Sequence, residues 1–547
     1  MKLNKFFFAF VIIFILAFLV RFYALDKIPS GFHSDEAAFG YNAYSIIETG
    51  KDEYGKTFPL ILKSFGDYKG AVYSYLTIPA VLLFGLNEFS VRLPSAIFGV
   101  LFVALSYLLT LRLTRNKTVA LLTAGLCAIN PLSIFLSRVQ SDPLVSVVFI
   151  LFGLYFFLLW IEKRNNFFII LTSGLWIISF FTYPSPRVFV PIIMLTLLMF
   201  YWKKLLEQKR YILIPLFALI LATDLFLYLG PSGSRFQQLS VFNTPTVKLV
   251  LEEKIKEEGP SKALTARIFH NKPIDYSLFF INNYFDYFSF DFLFLEGGQP
   301  DREIVPSSGL FYVIELPLFL IGAYFILRKR EKWGFFTLGS IVLLPLGLAL
   351  AVDESPNVHR FFLLVFFIEL VVAFGIFEVW SHLKKRKSFK YAVVFGVILL
   401  VLNAVYFLHQ LFVHQPVHRP WYRGFAYKPL VQSLKRLEPN YNKILITKAH
   451  ASPYIYVLFY TQYTPKKYQA EGSPQDLREG GGFGKYAFTS LDCPLTDPFT
   501  KEKHYKGEKG VLYVNRGTCL VPKNAKLIET IRWKDGNDAF QLLEYVP

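Results

Sequence analysis

The sequence predicts a polytopic α-helical membrane protein with about eleven spans, followed by a C-terminal extracytoplasmic α/β domain. Two observations carry that prediction. Nearly all the long apolar runs fall within residues 1–413, although the chain as a whole is only 54% hydrophobic. The basic residues come in short packets between those runs, as they do on the cytoplasmic side of membrane proteins.

The packets are Lys2 and Lys5; Arg112, Arg115 and Lys117; Lys163 and Arg164; Lys203, Lys204, Lys209 and Arg210; Arg328, Lys329, Arg330 and Lys332; and Lys384, Lys385, Arg386, Lys387 and Lys390. They account for nearly all of the net charge of +18. A nucleic-acid binder gathers its positive charge on one face, so this dispersed pattern argues against a nucleic-acid partner.

The first run, Phe6–Val20, has no small-residue cleavage site after it and reads as an uncleaved helix running outward from a cytoplasmic N-terminus. Further spans are expected near 91–111, 118–136, 143–161, 167–183, 187–202, 211–230, 309–327, 333–351, 361–380 and 391–412. The apolar segment Val72–Leu86 is short and contains Pro79. Were it to cross, every later basic packet would move outside, so it is placed at the outer interface. Two external segments result, 24–90 and 231–308. The second holds Val247–Lys256, a charged stretch suited to an amphipathic surface helix.

Residues 414–547 read as ordinary α/β sequence. Strands are expected at Lys443–Thr447, Val511–Val514 and Phe540–Tyr545, and a helix after Ser452-Pro453. Cys493 and Cys519 both fall here, where an oxidising compartment permits a bridge, and the sequence leaves their separation open.

With this topology the unusual polar residues land on one face of the membrane. Asp35 and Glu36 follow the first helix, and Arg92 opens the second. Arg138 and Asp142 lie between the third and fourth helices, and Tyr183 and Arg187 flank Pro184-Ser185-Pro186. Asp224 sits near the outer end of a later helix, and Asp353, Glu354, His359 and Arg360 form another external turn. Singly, each has a plain explanation, because charged side chains at helix ends snorkel to the interface. Together they supply a carboxylate able to act as a general base and guanidinium groups able to neutralise a phosphate. Glu369 is the main charge at mid-membrane depth and is expected to meet a partner on a neighbouring helix. There is no Gly-rich phosphate loop, no zinc-ligand spacing and no Gly-x-Ser-x-Gly elbow.

Three sequence stretches then carry a resemblance. They are the external Asp35-Glu36, the run Phe89-Ser90-Val91-Arg92-Leu93-Pro94-Ser95-Ala96-Ile97-Phe98-Gly99, and Ser137-Arg138 followed by Asp142-Pro143. Over roughly residues 1–412 the chain resembles the GT-C polyprenyl-phosphate-sugar glycosyltransferases, above all the family of protein O-mannosyltransferases and the aminoarabinose transferase of lipid A. Asn357-Val358-His359-Arg360 and Asp291–Gly298 are similar to segments of that family.

The resemblance implies a GT-C-like fold and inverting transfer of a sugar from a polyprenyl-phosphate donor to a lipid, glycan or protein hydroxyl. It implies Asp35 as the base, accompanied by Glu36 and Asp142. Arg92, Arg138, Tyr183, Arg187, His359 and Arg360 are candidates for holding the lipid phosphate. Tyr183-Pro184-Ser185-Pro186-Arg187 differs from the aminoarabinose transferase, which leaves the sugar open. No cofactor is required on this reading, and a divalent metal is not indicated. Two other classes would use the same outward face. A transporter or flippase of lipid-linked sugars predicts symmetry between halves, which the sequence lacks. A non-catalytic scaffold predicts that the polar residues do not converge.

Overall fold

The computed structural model describes residues 5–206, 210–230, 233, 241, 245–259, 263–351, 354–385, 389–474, 478–496, 505 and 507–546. Asp353 lies outside the described residues.

Most of the chain is helical. In order, the helices are α1 (Lys5–Phe22), α2 (Ser34–Thr49), α3 (Val72–Phe84), α4 (Glu88–Thr114), α5 (Lys117–Ile129), α6 (Pro131–Leu136), α7 (Asp142–Lys163), α8 (Asn166–Phe180), α9 (Pro186–Leu206), α10 (Arg210–Leu229), α11 (Pro245–Glu258), α12 (Ala263–Phe269), α13 (Lys272–Asp286), α14 (Glu315–Lys329), α15 (Lys332–Ala349), α16 (Val358–Leu383) and α17 (Phe389–His409). Seven helices among the described residues are long and apolar enough to cross a membrane, and four shorter apolar helices accompany them. The protein is a multi-pass membrane protein.

Every expected span is helical over most of its length, with two local differences. The span expected at 118–136 breaks into α5 and α6, because Pro131 cannot continue α5 and disfavours helix at Asn130. The span expected from 309 starts only at Glu315. Val72–Phe84 is a helix of 13 residues, about 20 Å long and well short of the roughly 30 Å hydrocarbon core.

Close helix packing relies on small residues, as bilayer helices do. Gly322 of α14 faces Gly375 of α16, and a Cβ on either would strike the other helix's backbone. Glu369 in α16 accepts a hydrogen bond from Asn130 Nδ2 at 2.9 Å, across the α5–α6 break.

The external segment after α1 holds α2 and a hairpin of β1 (Ile61–Ser64) and β2 (Asp67–Gly70). Beyond α17 come α18 (Tyr427–Leu437), α19 (Pro453–Thr461) and α20 (Pro465–Ala470), with a six-stranded mixed sheet. Its strands are β3 (Lys443–Thr447), β4 (Gly482–Phe483), β5 (Tyr486–Thr489), β6 (Val511–Arg516), β7 (Ala525–Arg532) and β8 (Asp538–Tyr545), in the order β4-β5-β3-β6-β8-β7. β3 runs parallel to β5 and β6, and β8 runs antiparallel to β6 and β7. Cys493 and Cys519 form a disulfide with a Cα–Cα separation of 5.8 Å.

This C-terminal part does not hang free of the rest. Phe32, Ala37 and Tyr41 near and on α2 join Leu430, Ile444, Phe459 and Phe540 in one hydrophobic cluster. Gly40 lies between Val91 of α4 and Phe459 of α19, with no room for a side chain. Helix α2 is thereby clamped between a membrane helix and the C-terminal sheet domain, and its first turn is held in place.

Candidate active site

The first turn of α2 carries Asp35 and Glu36. His33 caps it: its Nδ1 accepts from Asp35 N at 3.2 Å, while Glu36 Oε2 accepts from His33 N at 2.9 Å. This reciprocal cap satisfies two otherwise orphaned donors, and a helix N-terminus favours carboxylates.

The adjacent carboxylates have different surroundings. Glu36 is 2% exposed and both its oxygens are fully engaged. Oε1 accepts from Arg92 Nε and Gln140 N, each at 3.0 Å. Oε2 accepts from Arg423 Nη2 at 2.6 Å and Arg92 Nη2 at 3.3 Å, besides His33 N. Burial alone would raise the Glu36 carboxyl, but the Arg92 and Arg423 guanidiniums outweigh it and hold it at about 2. Asp35 is a third exposed and pairs with Lys69 of β2. Burial pushes its carboxyl up, and Lys69 with His33 overcomes that, leaving it well below the usual carboxylate range. Asp35 is therefore an accessible anion, while Glu36 is a buried junction.

Asp35 faces a cavity of about 80 Å³. Asp142, Tyr183, His359 and Arg360 line it too, together with Lys69 and Arg302. The sequence reading thus placed Asp35, Asp142, Tyr183, His359 and Arg360 around one space. Asp142 opens α7 and accepts from Gln140 Nε2 at 3.1 Å. Asn357 caps α16 through Arg360 N at 3.1 Å, which fixes the turn bearing His359 and Arg360.

Three predicted basic residues lie elsewhere. Arg92 is wholly buried and uses all five N–H groups, on Glu36 and on the carbonyls of Leu25, Pro29 and Gly31. Arg138 donates to the carbonyls of Val20, Tyr23, Ala24 and Ile28. Both hold the chain that leaves α1. Arg187 is absent from the cavity wall; it donates to Phe180 O at 3.3 Å and interacts electrostatically with Asp224.

Four further residues complete the site, and local pattern did not reveal them. Lys69 sits on a short hairpin with no motif. Arg302 pairs with Glu354 at 3.0 Å, and Glu303 approaches His359 at 3.7 Å. The turn carrying them is stitched to the one before α16 by Gln299 N to Pro356 O at 2.8 Å and Val358 N to Gln299 O at 2.9 Å. Arg423, beyond the last membrane helix, joins Glu36 to Glu303. One chain of polar and charged side chains therefore runs Arg92–Glu36–Arg423–Glu303–His359 beside the cavity. Arg423 and His359 hold the Glu303 carboxyl below its usual range against the pull of burial.

Residues 11–237 match the sequence model of the family described as dolichyl-phosphate-mannose-protein mannosyltransferase. That stretch contains Asp35, Lys69, Asp142 and Tyr183, but not Arg302, His359, Arg360 or Arg423. No curated protein matches the sequence. Among solved structures, the chain superposes on ArnT from Cupriavidus metallidurans in the apo state with a TM-score of 0.51 at 12% identity, covering 97% of each chain. ArnT bound to undecaprenyl phosphate gives 0.51 at 11% identity, with the same coverage. The oligosaccharyltransferase AglB from Archaeoglobus fulgidus, in complex with an inhibitory peptide and a dolichol-phosphate, gives 0.50 at 15% identity. There the match covers 84% of this chain and 64% of AglB, so the chain spans under two thirds of that relative. At these identities the likeness speaks for the fold, and the fold is that of the GT-C glycosyltransferases.

Proposed function

We propose that this protein is a glycosyltransferase that moves a sugar from a polyprenyl-phosphate donor to an acceptor hydroxyl on the extracytoplasmic face of the cell membrane. One observation carries the reading. Asp35, an accessible carboxylate on a rigid helix end, shares a cavity with Lys69, Arg302, His359 and Arg360. A base and a cationic cradle for a phosphate leaving group are what such a transfer needs. The charge packets support a cytoplasmic N-terminus, with residues 414–547 outside beside external segments 24–90 and 231–308.

On this reading the donor's phosphate enters the cavity among Lys69, Arg302 and Arg360. Its charge competes for the Lys69 ammonium. As Lys69 turns to the phosphate, Asp35 loses its main neutralising partner and becomes a stronger base. Asp35 then takes the acceptor's proton as the acceptor oxygen bonds the anomeric carbon from the face opposite the leaving group. The sugar–phosphate C–O bond breaks with its electron pair going to the phosphate, and the anomeric centre inverts. Asp142 and Gln140 border the same space and orient the sugar. Glu36 stays ionised and holds the base's helix turn; Arg92 and Arg138 hold the loop below it.

In vesicles reconstituted with a polyprenyl-phosphate sugar, Asp35→Asn abolishes transfer while the protein still accumulates. Full activity in that variant refutes Asp35 as the base. Protease added to intact cells should release the C-terminal domain; complete protection there refutes the orientation.

A further inference from the structure

A second cavity, of about 290 Å³, opens beside the first and shares Arg302 with it. That size sits at the lower edge of the roughly 300–1,000 Å³ of small-ligand sites. The turn 296–307 and the segment 415–423 that follows the last membrane helix form its walls, with Ser30.

Its guanidiniums each already meet a carboxylate, and Glu296 adds a further carboxylate to the wall. Arg302 pairs with Glu354 at 3.0 Å, Arg419 with Asp301 at 2.7 Å, and Arg423 with Glu36 at 2.6 Å. Arg302 serves the first cavity's anion, Arg423 is held by both Glu36 and Glu303, and an anion beside Arg419 would meet the Asp301 and Glu296 carboxylates. What remains on offer is neutral hydrogen bonding and flat surface. The Ser307 hydroxyl, the Gln415 amide and the His418 ring lie in the wall. Tyr422 is 40% exposed, with the Arg419 guanidinium 5.6 Å from its ring centroid. Carboxylate oxygens in existing ion pairs keep free lone pairs for hydroxyl donors. An aromatic face accepts the C–H surface of a ring, while the polar groups around it meet hydroxyls.

We infer that this second cavity is the acceptor subsite and that the acceptor is a neutral glycan, which reaches past Arg302 toward Asp35. The inference rests on the transferase reading for its direction, but the cavity's preference for a neutral polyol is measurable without any donor.

The probes are maltotriose, mannotriose, chitotriose and a Ser/Thr-containing peptide, titrated calorimetrically into the full-length protein in lipid nanodiscs without donor. At least one trisaccharide should bind and the peptide should not. Tyr422→Ala should weaken that binding about tenfold, the order expected for losing one aromatic contact, and Tyr422→Phe should restore most of it. Because Tyr422 is exposed and outside the core, the substitution is compatible with folding. Binding of the peptide alone, or trisaccharide binding indifferent to Tyr422→Ala, overturns the proposal in favour of a protein acceptor or another site. Trisaccharide binding that depends on Tyr422, in a protein that never consumes any polyprenyl-phosphate sugar, sustains this subsite and overturns the transferase reading instead.

Discussion

Two sets of basic side chains lie near the outer ends of the helices, and the atoms they bond set them apart. Arg21, Arg92 and Arg138, packed around the chain leaving α1, are wholly buried and bond mainly to backbone carbonyls. Lys69, Arg302 and His359, around the cavity, face carboxylates and open space. A guanidinium held by carbonyls in a rigid fork is a strut. A cation whose partner is a single carboxylate can exchange that partner for a phosphate. Position at a helix end therefore does not define the role; the identity of the bonded oxygen does.

Substitutions at matched positions put that contrast under strain. The largest effect is expected at the cavity's accessible anion, the partner of Lys69: Asp35→Asn should lower transfer by about 10³-fold or more, with the thermal unfolding midpoint nearly unchanged. Next come the struts. Arg92→Ala leaves the buried Glu36 carboxylate with Arg423 as its remaining guanidinium and opens a void below it, and breaking a buried pair costs about 3–5 kcal/mol. Its signature is loss of folded protein in detergent-stability assays, and a stable but inactive Arg92→Ala would erase the distinction drawn here. Arg302→Ala should leave folding intact and raise the donor KM about tenfold, since one charge-assisted hydrogen bond contributes about 1.5–3 kcal/mol. A thermal midpoint that drops as far as in Arg92→Ala would move Arg302 into the strut set.

Acidity gives the gentlest separation. Asp35 is held well below the usual range, so kcat/KM should show no acid limb until well below pH 4. Glu36 is depressed from 4.5 to about 2. A depressed carboxyl contributes stability above its unfolded value, and that contribution is lost as pH falls toward about 2. Circular dichroism across pH 5 to 2 should show this loss in the wild type and a smaller one in Glu36→Gln.

Much of this site is legible in sequence, for reasons that also mark where legibility stops. Asp35, Asp142, His359 and Arg360 lie at helix starts, and hydropathy with charge parity sends those starts to one face. Arg92 and Arg138 obey the same rule and were grouped with the phosphate-holding candidates, because a sequence places a charge without revealing the atom it meets. Lys69 reaches Asp35 from 34 positions away on a four-residue strand too short for a periodic signal. Arg423 reaches Glu36 across 387 positions. The sheet domain's β3, β6 and β8 are apolar enough to recognise, whereas β7 has only one fully buried residue and no alternation to betray it.

The reach of Arg423 also bears on how the protein is born. Ribosomes deliver the chain from the N-terminus, and α1 to α17 have all emerged before Arg423 does. Until then Glu36 lacks one of its two guanidiniums, and Glu303 lacks the link that ties its turn to α2. A nascent chain, or one cut short at a premature stop codon after its last membrane helix, can hold every lining residue of the Asp35 cavity while lacking that brace. The reactive pocket is thus completed late in translation.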